Sequence, residues 1–307
     1  MPGPRRKKPS GSRLLTRSSR VSMWCGLGVG VAVYVLFGIV PALGNILVSF
    51  TNYSGLPGSP TSFTGFFNYT VLFVTQRPGF TASLVATVLF VVSVTVVQNA
   101  IGMLLAHRLQ GDSKSATVLR ILAFLPIVLG VTVVGIVWLL LFDPFSSPAE
   151  AVFGAVGIHS AFFGSNNLAM PLVIVVQVWQ NLGFTMVVFI GALKTIPHEI
   201  YEAASMDGAK PWRRFTAVTW PLMAPAVSVN VLFAVIGSLT TYNLIYVLTD
   251  GTNGTNTLGM SAFNSAFGVT SDLGLGAAVS TVLLAAAVLV AIPLVSFLRL
   301  RERRILG

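Results

Sequence analysis

The sequence predicts an all-α integral membrane protein: six transmembrane helices, both termini in the cytoplasm, and a short helix–turn–helix between spans four and five. Three observations carry this reading. Of 307 residues, 54% are hydrophobic and only 9% charged, and the mean hydropathy is +0.82; soluble domains carry about a quarter charged residues. Six apolar runs lack Asp, Glu, Lys and Arg, and each can supply the roughly 20 helical residues that cross about 30 Å of hydrocarbon. Threading them through a bilayer then collects the basic residues on one side.

Residues 1–22 hold Arg5, Arg6, Lys7, Lys8, Arg13, Arg17 and Arg20 among Pro, Gly and Ser, with no acid. Such a segment cannot bury a core, so a disordered basic tail is expected, followed by one transmembrane domain over 23–307. A cationic start before an apolar run also describes a signal peptide. The run Met23–Phe50 is about twice the length of a signal h-region, however, which favours an uncleaved first span. The remaining spans are expected at Ser83–Ala106, Ile121–Phe142, Leu168–Leu193, Leu222–Leu248 and Leu275–Leu298. Pro41, Pro126, Pro225 and Pro293 are candidate bends within them.

With the amino terminus inside, eighteen of the nineteen Lys and Arg fall in cytoplasmic segments and only Arg77 falls outside. That asymmetry is the positive-inside signature, and one span too many or too few would scatter it. The net charge of +10 is thus explained by orientation; no basic helix interleaved with aromatics points to nucleic acid. The outer loops, 51–81, 143–167 and 249–274, are long enough to suggest contact with an external partner.

The chemistry is informative by what it lacks. Cys25 is the single cysteine, and His107, His159 and His198 have no ligand spacing, so neither metal nor cofactor is expected. No G-x-x-x-x-G-K-[ST] phosphate loop occurs. No span carries a carboxylate for a proton or sodium relay, the usual mark of an ion-driven carrier. A stand-alone secondary carrier for a neutral solute is therefore the weaker alternative, and a membrane enzyme lacks any acid, Cys or His constellation. The polar groups in or near the spans are neutral: Gln98, Asn99, Gln177, Gln180 and Asn181, then Asn230, Tyr242, Asn243 and Tyr246. As a set they suit an uncharged, polyhydroxylated solute, and Gln177, Asn181, Asn230, Tyr242, Asn243 and Tyr246 are the candidate path. Each also fits a plain helix-to-helix hydrogen bond.

The polar interruption at 195–225 has its own local logic. Pro197 suits a helical first turn, Glu199 and Glu202 favour the positive end of a helix dipole, Gly208 can supply a left-handed stop, and Pro211 can begin a second helix. Ala203 and Ala204 form a low-relief patch that another backbone could approach. An ordinary loop would also satisfy the charges alone.

Residues 202–225, EAASMDGAKPWRRFTAVTWPLMAP, resemble the EAA loop of bacterial ABC importer permeases: Glu202, Ala203, Ala204, Gly208, and the close Val218-Thr219-Trp220-Pro221. Asp207, Ala209, Trp212 and Phe215 resemble the carbohydrate, maltose-type branch. Trp220 stands where that family usually has an aliphatic residue. LKTIP at 193–197 and NLIYVLTDGTNGTNTLGMSAFNSAF from Asn243 resemble flanking stretches of the same branch, with Asp250–Gly254 and Asn264 as departures. The resemblance implies a non-enzymatic subunit in a bacterial inner membrane. Its implied partners are a second permease, a dimeric cytoplasmic ATPase and an extracellular solute-binding protein. Glu202 would face a basic group on the ATPase, with Ala203 and Ala204 in its cleft.

Overall fold

The computed structural model describes residues 27–145, 147–155, 157, 159–268 and 272–306, with side chains as far as Arg301. The tail at 1–22, Cys25 and the start of the first predicted span lie outside those residues. The chain divides into two units, 1–47 and 48–307. The first contains most of α1 (Leu27–Val48), whose helix widens into a π turn at Val35–Ile39 just before Pro41.

The second unit runs α2 (Phe67–Thr70), α3 (Arg77–Leu109), α4 (Lys114–Val128), α5 (Val131–Leu141), α6 (Pro148–Gly154), α7 (Ala169–Thr195), α8 (His198–Met206), α9 (Pro211–Leu222), α10 (Ala224–Thr240), α11 (Asn243–Thr249), α12 (Leu258–Phe267) and α13 (Leu273–Leu306). Its starts follow from local chemistry. Ser113 accepts from the Ala116 N–H at 3.2 Å, Ser147 from Glu150 at 3.0 Å and Thr257 from Met260 at 3.4 Å, each satisfying an orphan donor of a first turn.

Among the described residues, four helices are long and apolar enough to cross a membrane: Leu27–Val48, Arg77–Leu109, Ala169–Thr195 and Leu273–Arg301. The third predicted span is broken, and the fifth is bent at its very start. α4 and α5 turn through 104°, and α9 and α10 through 69°, so six crossings are reached only if each bent pair counts as one. The first break falls at Leu129–Gly130, both extended, three residues beyond Pro126. Gln180 of α7 donates through Nε2 to the Leu129 carbonyl at 3.3 Å, supplying a partner that the helix no longer provides. The second break, at Met223, lies between Pro221 and Pro225, which lack the N–H groups that would bond the carbonyls of Ala217 and Pro221. The fifth span also stops early, at Thr240 rather than Leu248. Thr240 and Thr241 turn their hydroxyls back onto the Ile236 and Gly237 carbonyls, a competition that weakens a helix end.

α7 is the central helix and packs most extensively against α3. Phe90, Val94, Val173, Val176, Leu244 and Ile245 form one buried cluster, and Met103, Met186, Phe189 and Met223 another. Lipid tails are as apolar as these side chains, so dispersion and close approach, rather than expulsion of water, hold the helices together. Gly183 marks the closest approach: a Cβ there would strike the backbone of Ala123 and Phe124 in α4.

Buried polar groups knit the same helices. Thr185 of α7 accepts from Gln98 Nε2 of α3 at 2.7 Å, and its carbonyl accepts from Asn230 Nδ2 of α10 at 3.2 Å. One residue therefore ties three helices.

Candidate functional site

The segment 195–225 folds as a helix, a tight turn and a second helix. Pro197 is the N-cap of α8 rather than part of its first turn, and Glu199 occupies that turn while Glu202 sits one turn further on. Glu202 is exposed, and its Oε1 lies 3.0 Å from His198 Nδ1 across one helical turn. The C-terminus is closed by paired reverse bonds. The Gly208 N–H donates to the Ser205 carbonyl and the Ala209 N–H to that of Ala204, both at 3.0 Å, which is the Schellman arrangement. It requires the left-handed backbone that Gly208 adopts at φ +73°. Lys210 is the N-cap and Pro211 begins α9, where its missing N–H costs nothing.

The two helices are cross-braced. Tyr201 Oη and Thr219 Oγ1 are 3.1 Å apart, and Arg214 donates to Ser205 Oγ at 3.0 Å. Ala203 and Asp207 are exposed, while Ala204 and Ala209 are half-buried. Trp212 is 75% exposed. The base of the segment is pinned to the α3–α4 connection, where Lys194 Nζ meets Asp112 Oδ1 at 3.0 Å. That hydrogen bond and the lysine charge hold the Asp112 carboxyl below its usual range.

An aromatic series runs through α9. Trp212 stacks near Phe215 (6.0 Å), Phe215 lies 6.4 Å from Trp220, and the Arg301 guanidinium of α13 sits 5.3 Å above the Trp220 ring. The unusual tryptophan thus has a partner that an aliphatic residue could not engage in this way. Replacing Trp220 by Leu is expected to lower the melting temperature by roughly 1–3 °C, and by Phe to lower it less, since an exposed cation–π contact contributes about 0.5–1 kcal/mol. Equal thermal shifts for Leu and Phe would assign the loss to packing alone.

The candidate path residues do not form one cluster. Asn230 is 1% exposed and is committed to the Thr185 carbonyl. Asn181 donates to the Gln177 carbonyl within its own helix at 3.0 Å, and Gln177 is itself buried. The Asn230 and Asn181 amides are thus engaged with backbone carbonyls. Tyr242, Asn243 and Tyr246 do come together, at the start of α11 just after the early end of α10. All three are exposed; Tyr242 stacks on Phe263 of α12 at 5.0 Å and 20°, and Tyr246 meets its edge at 5.1 Å. Phe263, Gln98 and Thr185 were not singled out as a set by sequence. Phe263 lies between Ser261 and Asn264, where no local pattern indicates its partners across the fold, and the other two meet only across helices.

Residues 98–306 match the family described as binding-protein-dependent transport system inner membrane component. The chain belongs to that family.

Among its relatives is the diacetylchitobiose uptake system permease protein NgcF of Streptomyces coelicolor, 32% identical over 85% of this chain and 79% of NgcF. Another is the sn-glycerol-3-phosphate transport system permease protein UgpA of Rhizobium meliloti, 30% identical over 74% of this chain and 78% of its own. The fold matches a chain of a bacterial alginate ABC transporter, crystallised with its alginate pentasaccharide-bound periplasmic protein. The TM-score is 0.75 at 19% identity, covering 96% of this chain and 98% of that one. Within the family match lie α7 to α13, and with them both the helix–turn–helix and the Tyr242–Phe263 cluster. Members of this family are permease subunits of ABC importers and are not enzymes themselves.

Proposed function

We propose that this permease forms half of the path of an ATP-driven importer for a sugar or oligosaccharide. In this reading both termini and the 195–225 segment face the cytoplasm. A second permease completes the path, a separate ATPase dimer drives it, and an external binding protein delivers the solute. The observation that carries the reading is the braced α8–α9 pair, closed at Gly208 and presenting Glu202 and Ala203 on its exposed side beside the half-buried Ala204. A rigid knob of this kind can pass a rigid-body movement from an ATPase to the spans. Asp207, Ala209, Trp212, Phe215 and Pro221 shape the knob rather than carry out chemistry.

For the solute, the exposed Tyr242–Asn243–Tyr246 face is the best-placed candidate: aromatic faces and one amide, with no charge, match a sugar ring. Gln177, Asn181 and Asn230 then serve the path as supports. The relation to UgpA makes an anionic glycerol phosphate the second reading, although the apolar cores of the six predicted spans hold no Lys or Arg to receive its phosphate.

The decisive experiment is reconstitution in liposomes with an ATPase and a second permease from neighbouring genes. ATP-dependent uptake of a solute brought by a binding protein is the expected result; uptake driven by an ion gradient without any ATPase would sink the reading. Asn243→Asp is expected to cut uptake while leaving co-purification with the ATPase intact. Unchanged uptake would remove Asn243 from the path.

A further inference from the structure

A cavity of about 890 Å³ separates the last turns of α3 from the α8–α9 pair. One wall is membrane-helix surface, Ala100, Met103 and Leu104; Tyr201, Trp212 and Phe215 contribute aromatic surface. Two guanidinium groups, Arg108 and Arg214, also line it, with the imidazoles of His107 and His198, and no carboxylate does. Glu202 lies 3.0 Å from His198 and lines an adjoining hollow with Arg214. Among the described residues neither arginine forms an ion pair with a carboxylate, and the Arg214 guanidinium donates to Ser205 Oγ.

This combination is selective. Two guanidinium groups in a lining without a carboxylate call for an anion, and a bidentate guanidinium suits phosphate oxygens. A free phosphate would leave the apolar wall unoccupied, and a sugar would meet neither demand. A zwitterionic lipid would bring a cation of its own next to the arginines. Basic pockets beside the cytoplasmic ends of membrane helices are where acidic lipid head groups are bound, and tryptophan favours the same depth.

The geometry points to an anionic phospholipid seated in this cavity, its phosphate held by Arg108 and Arg214 and the first part of a chain lying on Ala100, Met103 and Leu104. The assignment rests on the proposed topology, which puts the cavity at the inner leaflet. The lipid braces α8 and α9 against α3, so the stiffness of the coupling knob depends on the surrounding membrane.

The test uses the full chain in neutral detergent, titrated with phosphatidylglycerol or phosphatidylcholine, with bound lipid counted by native mass spectrometry. Wild type is expected to retain phosphatidylglycerol preferentially. R108Q and R214Q are each expected to weaken that retention by roughly fivefold, the scale of one basic residue at a lipid surface. The double variant R108K/R214K keeps both charges and should retain the preference, which separates lost charge from lost folding. R213Q, an exposed arginine outside the cavity, should behave as wild type. Equal retention of both lipids by wild type, or an unchanged preference in R108Q/R214Q, would overturn the site. Displacement of the lipid by millimolar inorganic phosphate would overturn it in favour of a free-anion site. Loss of ATPase co-purification in R108Q/R214Q with lipid retention unaltered would mark the cavity as a protein seat instead. The lipid count needs neither ATPase nor solute, so its failure is distinct from failure of the importer reading.

Discussion

Gly208→Val is expected to break the link between the ATPase and transport while the spans remain folded. The substitution has space, since nothing lies within 4 Å of a Cβ there, but the backbone is left-handed at φ +73°. A β-branched residue pays roughly 1–2 kcal/mol or more for that conformation. The turn can escape only by abandoning the Gly208–Ser205 and Ala209–Ala204 bonds, which redirects α9 relative to α8. One or two kcal/mol shifts a two-state ratio about 5–30-fold, so co-purification with the ATPase and ATP-driven uptake should fall by that order. If both survive, the α8–α9 pair is not the docking element. Gly208→Ala strains the same φ with less crowding and should fall between valine and wild type.

Gly183→Val should act on the fold instead. Its side chain would enter the space filled by the Ala123 and Phe124 backbone, which is not a rotamer that can swing aside. Overpacking typically costs about 1–3 kcal/mol, and separating α4 from α7 also endangers the Gln180 bond to the Leu129 carbonyl. The expected outcome is a lower melting temperature and reduced yield in detergent. Gly191→Val, on the same helix with nothing within 4 Å of its Cβ, should leave both unchanged. Matching losses in the two variants would mean that helix α7 resists valine generally and that the crossing is unimportant.

Some of this was legible in the residues alone. The stop at Gly208 and the start at Pro211 depend on neighbours within a few positions, where sequence speaks directly. The breaks in the third and fifth predicted spans are different. Hydropathy runs unbroken through Leu129 and through Thr240, because a bent helix pair is as apolar as a straight helix. What stabilises the first bend, Gln180, lies far along the chain and read only as one more neutral amide in a span. Asn230 was open to two readings: an amide that crosses to Thr185 and an amide that faces a solute have the same composition. Only the crossing of α7 with α3 and α10 distinguishes them. Tyr242 and Tyr246 were visible as aromatics near the end of a span, but the residue that joins them, Phe263, belongs to a later helix.

The bend at Met223 has a mechanical meaning. α9 spans twelve residues, and at about 1.5 Å per residue it reaches roughly 18 Å from that bend to its far end. Set at 69° to α10, it has the geometry of a crank: in the proposed coupling, a push on the Pro211 end becomes torque about the long axis of α10. Arg301 grips Trp220 close to the fulcrum, where displacement is smallest and a weak contact suffices as a bearing. Shortening the arm by a turn should reduce the throw delivered to α10 without altering any surface that touches the solute.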